Sequence, residues 1–330
     1  MQPSASKRRN DGNDASGNTA IATTATVDSG GRDAVAPAYV GRFAPSPTGE
    51  LHLGSLLAAV GSFLDARSRG GRWLVRMEDL DAPRVIPGSA AQILQTLEHF
   101  ALTWDGPVLY QSTRRDAYEE VILALQRAEL TFQCSCSRRE LPPVEESGYP
   151  GTCRHGTARP GPFATRLRVD ERLLVLFDDR IQGLCRFDLG VLGDFVIRRK
   201  DGVPSYQLSV VTDDAAQGVT DVVRGADLQS STAWQIALHG ACGLLPPRYA
   251  HLPLVVARNG EKLSKSRQSI AVSAAAAGTT LCTVLQLLDL QPPAQLRGAG
   301  PAELLAWACS GWPPRSLHGR ASVLAPAADT

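Results

Sequence analysis

The stretch Arg42-Phe43-Ala44-Pro45-Ser46-Pro47-Thr48-Gly49-Glu50-Leu51-His52-Leu53-Gly54-Ser55 decides how this chain reads. Just upstream, Tyr39-Val40-Gly41-Arg42-Phe43 has the apolar character of a buried strand. Pro45, Pro47 and Gly49 then impose a rigid turn. Downstream, Leu53, Leu56, Leu57, Val60, Phe63 and Leu64 recur at three- and four-residue spacing, the signature of an amphipathic helix. A strand that turns sharply into a helix offers unpaired N–H groups and partial positive charge at the helix start, and such a place binds phosphate. His52 can donate to a phosphate oxygen, and Gly54 lets a purine approach the backbone. A bare His-x-Gly would mean no more than a tight turn, so a second signal is needed.

Working outward, Gly70-Gly71 stops the helix and Trp73–Met77 reads as a second strand, with helices across 89–101 and 115–129. Strands alternating with helices imply a parallel sheet. The rhythm breaks near 134, where cysteines, Pro142-Pro143 and a Gly-Tyr-Pro-Gly turn at 148–151 suggest an insertion with little regular structure. Short apolar runs over 164–198 fit a few antiparallel strands. The α/β rhythm resumes with Tyr206–Val211, then Val219–Arg224, a helix over about 230–242 and a strand at Leu252–Val256. A loop follows at 257–269, then an Ala/Leu-rich helical stretch at 271–290 and a Pro/Gly-rich tail. The expected fold is α/β, a Rossmann-type parallel-sheet catalytic domain in two halves, 39–133 and 196–270. An insertion at 134–195 separates them, and 271–330 forms a short helical remnant and flexible tail.

Bulk properties set limits. The 330 residues are 43% hydrophobic and 20% charged, ordinary values for a globular protein. A formal net charge of +1 advertises no nucleic-acid binder, so any RNA contact must use a local basic face. No run approaches the roughly 20 apolar residues of a membrane span. Residues 1–38 carry Lys7-Arg8-Arg9 but no apolar core, and Asp11, Asp14, Asp28 and Asp33 argue against a transit peptide; a disordered tail is expected. The seven cysteines, three of them between 134 and 153, suit a reducing cytoplasm and a metal site better than a disulfide framework.

The second signal is Lys262-Leu263-Ser264-Lys265-Ser266, after the late strand and beside Asn259-Gly260. Two lysines three apart among small hydroxylic residues make a clamp for a polyphosphate, suited to charge on departing pyrophosphate. Alone it would be a solvated surface run. Paired in this order with the first motif, roughly 200 residues away, it points to adenylate formation. Together the two motifs resemble the "HIGH" and "KMSKS" signatures of class I aminoacyl-tRNA synthetases, and the long form Arg-Phe-Ala-Pro-Ser-Pro-Thr-Gly resembles the glutamyl/glutaminyl branch. Ser55 replaces the second histidine and Leu263 the methionine; serine can still donate a hydrogen bond, and leucine keeps the apolar packing.

Glutamate carries one ammonium and two carboxylates, and its α-carboxylate must stay free to attack ATP. A selective pocket therefore wants an acid for the ammonium and a guanidinium for the side-chain carboxylate. The resemblance makes Glu78, in Arg76-Met77-Glu78-Asp79, the ammonium ligand. It makes Arg42, Arg224 and Tyr206 glutamate-binding residues, with Phe43, Ala44, Pro45 and Ser46 completing that site. His52, Gly54, Ser55, Lys262 and Lys265 fall to ATP, taken with Mg²⁺.

Cys134-x-Cys136 and Cys153 offer three thiolates, and tetrahedral zinc needs a fourth ligand. Chemistry alone favours His155, two residues beyond Cys153. A short relative of glutamyl-tRNA synthetase, which esterifies glutamate to queuosine in the anticodon loop of tRNA(Asp), has a Cys-x-Cys…Tyr…Cys site, and Tyr149 matches it. The resemblance thus implies one structural Zn²⁺ on Cys134, Cys136, Tyr149 and Cys153, with His155 the rival. Cys185, Cys242, Cys282 and Cys309 read as core or surface thiols, and His99, His239 and His251 as packing residues. Arg198-Arg199-Lys200 reads first as a solvated hairpin and second as an RNA phosphate contact.

The chain ends 64 residues after Ser266, too few for the anticodon-binding domains of a discriminating glutamyl-tRNA synthetase. The resemblance therefore implies the short branch: a cytoplasmic, monomeric enzyme with L-glutamate, ATP and queuosine-containing tRNA(Asp) as partners and no membrane. An ordinary synthetase charging a tRNA 3′ end and a catalytically inert binding paralogue are the competing readings.

Overall fold

The computed structural model describes residues 20–22, 38–141, 148–157, 159–257, 272 and 276–326. In chain order its elements begin with strand β1 (Ala20–Ala22), β2 (Val40–Phe43), helix α1 (Leu53–Arg67), β3 (Arg72–Met77), α2 (Ser89–His99), β4 (Leu109–Tyr110) and α3 (Arg115–Arg127). The middle holds β5 (Thr131–Cys134), β6 (Ala164–Leu167), β7 (Leu174–Asp179), β8 (Gly183–Asp188), α4 (Leu189–Leu192) and β9 (Phe195–Arg198). Then come α5 (Tyr206–Ala216), β10 (Asp221–Gly225), α6 (Gln229–Ala241), β11 (Arg248–Leu252), β12 (Leu254–Val256), α7 (Ala277–Leu287), α8 (Pro301–Ser310) and β13 (Ser322–Leu324).

The Rossmann-type core is a run of parallel strands. β2 pairs with β3 and β3 with β4, while β10 pairs with β11. The two sets lie side by side: the Thr220 N–H donates to Val40 O at 2.9 Å, and the Val40 N–H donates to Thr220 Oγ1 at 2.9 Å. The chain therefore leaves β2 toward one side and reaches β10 from the other, which makes their carboxyl ends a topological switch point, where open α/β sheets bind ligands.

Alternation along the strands supplies both faces. Phe43, Trp73, Val75, Met77, Val223 and Ala250 enter one core with α1, α2, α7 and α8. Val40, Leu74, Val222 and Tyr249 enter the other with α3, α5 and α6. Burying one such side chain stabilises the fold by about 1.5–3 kcal/mol.

Four expectations need correction. The run Tyr206–Val211, rich in β-branched residues, opens helix α5 instead of adding a strand: Ser205 caps it by accepting from the Leu208 N–H at 3.3 Å. The strand expected at 252–256 is broken at Pro253, which has no N–H to give, into β11 and β12. In 271–330, expected as a short helical remnant and flexible tail, α7 and α8 are helical, but the described residues of the tail pack too: Leu304, Leu305, Ala308, Trp312 and Leu317 join α1's core, and Trp312 Nε1 donates to buried Asp65 at 2.9 Å. Within 1–38, expected as a disordered tail, Ala20–Ala22 run parallel to Leu174–Leu176.

The insertion also differs in detail. β5, β6 and β9 form a small antiparallel sheet, as the 164–198 reading implied. β7 and β8 form a hairpin, but β7 also meets β11 of the main sheet through Asp179 and Tyr249, so part of 134–195 buttresses the core.

Candidate active site

The Pro-rich turn is held from two sides. The Glu78 N–H donates to Pro45 O at 2.9 Å, the Ile86 N–H donates to Pro47 O at 3.0 Å, and Ser89 Oγ exchanges hydrogen bonds with the Gly49 backbone at 2.8 and 3.0 Å. Gly49 sits at φ +143°, a conformation L side chains rarely adopt. The turn delivers His52 to the N-cap of α1, where Nδ1 accepts from the Ser55 N–H at 3.2 Å and Nε2 lies 2.9 Å from Ser55 Oγ. Ser55, the departure from a second histidine, is thus the partner of the first. A Cβ on Gly54 would meet the His52 ring at 3.2 Å, so glycine is needed for the imidazole's seat as well as for any approaching base.

His52, Gly54 and Ser55 line a cavity of about 460 Å³. Arg42, Glu78, Tyr206 and Arg224 line the same cavity, as do Phe43, Ala44, Pro45 and Ser46. Every candidate glutamate residue thus converges on the switch point, with His52, Gly54 and Ser55 in the same cavity. Lys262 and Lys265, expected beside them, lie outside the described residues.

The charged groups are fixed by partners far away in sequence. Arg42 Nε donates to Asp214 Oδ1 at 3.3 Å, and Arg76 Nη1 reaches the same oxygen at 2.8 Å. Burial opposes ionisation of Asp214, yet the two guanidiniums hold its carboxyl below the usual carboxylate range. Glu78, with 11% of its side chain exposed, lies 3.7 Å from Arg76 Nη2. Burial pushes the Glu78 carboxyl up to about 7, against the pull of Arg76 and Arg42 and with the push of Asp214 and Asp213. Arg224, 5% exposed, donates to Tyr206 Oη at 3.4 Å, to Thr232 Oγ1 at 2.7 Å and to His251 Nε2 at 3.2 Å. His251 in turn bonds Asp179 Oδ2 at 2.5 Å. Asp214, His251, Asp179 and Thr232 escaped the sequence reading; His251, read as packing, is a buried polar brace for Arg224.

A second polar cluster lies in the insertion. The Sγ atoms of Cys134, Cys136 and Cys153 all lie within 4.8 Å of one another. Cys136 and Cys153 are 3.6 Å apart, and Tyr149 Oη is 3.5 Å from Cys134 Sγ and 3.9 Å from Cys136 Sγ. Around a tetrahedral zinc with the usual bond lengths, neighbouring sulfurs stand about 3.8 Å apart and an oxygen stands about 3.5 Å from each sulfur. The donor set fits such an ion. His155 is exposed and does not join the cluster. Cys153 is held down to about 6: burial works against it, while the Ser135 backbone and the Tyr149 hydroxyl favour its thiolate.

Residues 39–280 match the family of tRNA synthetases class I (E and Q), catalytic domain. The chain is 52% identical over 276 residues to a glutamyl-Q tRNA(Asp) synthetase of Ectopseudomonas mendocina (strain ymp), covering 83% of this chain and 93% of the relative. The chain belongs to the glutamyl-Q tRNA(Asp) synthetase family. A relative of the same name from Aromatoleum aromaticum (strain DSM 19018 / LMG 30748 / EbN1) is 48% identical, covering 88% of this chain and 95% of its own length. Among solved structures, the glutamate-tRNA synthetase of Elizabethkingia anophelis superposes with a TM-score of 0.68 at 24% identity, over 81% of this chain and 65% of that one. That likeness speaks for the fold. Among the described residues no helix is long and apolar enough to cross a membrane.

Proposed function

We propose that this protein activates L-glutamate with ATP to glutamyl-adenylate without RNA, then transfers the glutamyl group to the queuosine of tRNA(Asp). The observation that carries the reading is the single cavity that Arg42, Glu78, Tyr206 and Arg224 share with His52, Gly54 and Ser55 at the N-terminus of α1. An acid, two guanidiniums and a phenol suit an amino acid with an extra carboxylate. A helix N-terminus with His52 and Ser55 suits a nucleotide's phosphates.

In this arrangement Glu78 holds the substrate ammonium, and Arg224 with Tyr206 holds the side-chain carboxylate. An oxygen of the α-carboxylate attacks the α-phosphorus of ATP, supplied as its magnesium complex, and the bond to pyrophosphate breaks. Lys262 and Lys265 stabilise the departing charge. No side chain has to act as nucleophile; alignment and electrostatics supply the rate. A queuosine hydroxyl then attacks the activated carbonyl, AMP leaves, and the hydroxyl proton passes to solvent or to the phosphate. Cys134, Cys136, Cys153 and Tyr149 would hold one zinc, which closes the insertion and leaves no open position for catalysis.

Glutamate-dependent ATP–pyrophosphate exchange in the absence of tRNA tests the first step. Exchange above the no-glutamate background is expected. Folded protein that binds glutamate but exchanges nothing would favour an inert binding paralogue instead.

A further inference from the structure

A second cavity, about 670 Å³, adjoins the first, and both have Ser46, Glu78 and Tyr206 in their walls. Its volume falls in the usual range of small-molecule sites, about 300–1,000 Å³. Its outer wall is unlike that of the first. It combines the cysteine-cluster loop, through Cys136, Ser137 and Arg138, with the turn after β9, through Arg199, Lys200 and Asp201. The two parts are tied together: Lys200 Nζ donates to Ser135 O at 2.6 Å.

The charges on this wall are unbalanced. Asp81 and Asp201 are engaged by Arg199 at 3.3 and 2.6 Å, and Asp81 also by Arg84 at 2.5 Å. Two further cations, Lys200 and Arg138, face no carboxylate among the described residues. Lys200 has only the Ser135 carbonyl. Arg166, 7% exposed, is a structural cation instead: it lies over the Tyr149 ring at 3.8 Å, donates to Asp194 O and is balanced by the Asp194 carboxylate. Arg138 is exposed, and its side chain has no ion pair or hydrogen bond among the described residues. Uncompensated cations around a cleft attract a polyanion, and a chain of phosphodiesters gives them evenly spaced partners.

We infer that this second cavity is the docking cleft for the acceptor RNA, with Arg138 and Lys200 as phosphate-contacting residues that position it. The inference rests on the acceptor assignment made above and adds the surface that serves it. The nucleotide to be modified enters past Arg138 and Lys200 and presents its hydroxyl across Ser46 and Tyr206 to the glutamyl carbonyl. The two substrates of the transfer step thus arrive from opposite sides of one shared wall. The cysteine cluster gains a purpose in this geometry, because it shapes the loop that carries Arg138.

The test uses the full chain and two probes, queuosine-containing tRNA(Asp) and the same tRNA lacking queuosine. RNA affinity is measured across a salt series, together with exchange and transfer, for the unsubstituted protein, Arg138→Glu and Lys200→Met. Arg297→Glu, an exposed position that lines neither cavity, is the control for loss of one positive charge. We expect Arg138→Glu to weaken affinity for both RNAs about tenfold and to reduce the salt slope by about 1. Exchange should stay within about twofold, and Arg297→Glu should behave as the unsubstituted protein. Unchanged affinity and slope in Arg138→Glu, or an equal loss in Arg297→Glu, would overturn the cleft. So would a matching fall in exchange, since Arg138 would then be shaping the glutamate pocket. If the unsubstituted protein itself transfers glutamate to neither RNA, the acceptor assignment fails and the cleft falls with it.

Discussion

Arg224 donates from Nε to His251 Nε2 at 3.2 Å, and His251 bonds Asp179 through its other nitrogen at 2.5 Å. Burial pushes the imidazole below its ordinary range, so the ring is neutral, donating from Nδ1 and accepting at Nε2. Asp179 is itself anchored by the N–H groups of Ile181, Gln182 and His251 at 3.0, 2.8 and 3.0 Å. The turn between β7 and β8 thereby orients the guanidinium assigned to glutamate's side chain.

From that brace we predict the effect of His251→Ala. A hydrogen bond to a charged group contributes about 1.5 kcal/mol, or roughly tenfold in affinity. The KM for glutamate in exchange should rise about tenfold while the KM for ATP stays within twofold. Steady-state exchange with each substrate varied gives both constants. A parallel rise in the two would mean that His251 serves the fold and not the arginine.

Glu78 gives a pH signature. Its carboxyl is raised to about 7 in the free protein, and the substrate ammonium pairs only with the carboxylate. Ammonium binding is therefore fully available above pH 7 and is lost as pH falls through that value. Each unit below 7 should cost up to about tenfold in glutamate affinity. Isothermal titration between pH 5.5 and 8.5 reads this directly. Glu78→Gln should bind weakly at every pH; a mutant that kept tight binding would remove Glu78 from the ammonium role.

For the insertion, plasma emission analysis should find about one zinc per chain. Cys136→Ser and Cys153→Ser should lose most of it, and His155→Ala should keep it. A strong chelator should lower the melting temperature of the unsubstituted protein more than that of Cys136→Ser. Retention of full zinc by Cys153→Ser would refute the ligand set.

Lys265→Ala should lower exchange by about a hundredfold, the scale seen when one transition-state donor is removed, with the circular dichroism spectrum unchanged. An active Lys265→Ala would separate this loop from pyrophosphate release.

The cavity wall could be read from sequence where function is carried by contiguous residues. The turn from Arg42 to Ser55 names its own strand and helix, and Glu78, at the end of β3, was named by the resemblance. The three cysteines were legible for the same reason, since Cys134, Cys136 and Cys153 fall within 20 residues, whereas Tyr149 came from the resemblance and chemistry alone favoured His155. What stayed hidden depends on the tertiary fold. Asp214 braces Arg42 from 172 positions away, and Asp179 reaches His251 from 72. The period of Tyr206–Val211 is ambiguous over six residues, and the Ser205 cap decides for helix. In the C-terminal segment Pro and Gly recur among Ala and Leu and break the periodicity, so the Leu304, Leu305 and Trp312 that seat it on α1 become informative only once that surface exists.

The central claim is tested most directly by glutamylation of tRNA(Asp) with and without queuosine, using radiolabelled glutamate, ATP and the full chain. The account predicts RNA-bound label only where queuosine is present, surviving periodate oxidation of the tRNA 3′ end only if the modified base is protected by prior glutamylation. Equal labelling of the two RNAs, or label confined to the 3′-terminal ribose, would contradict it.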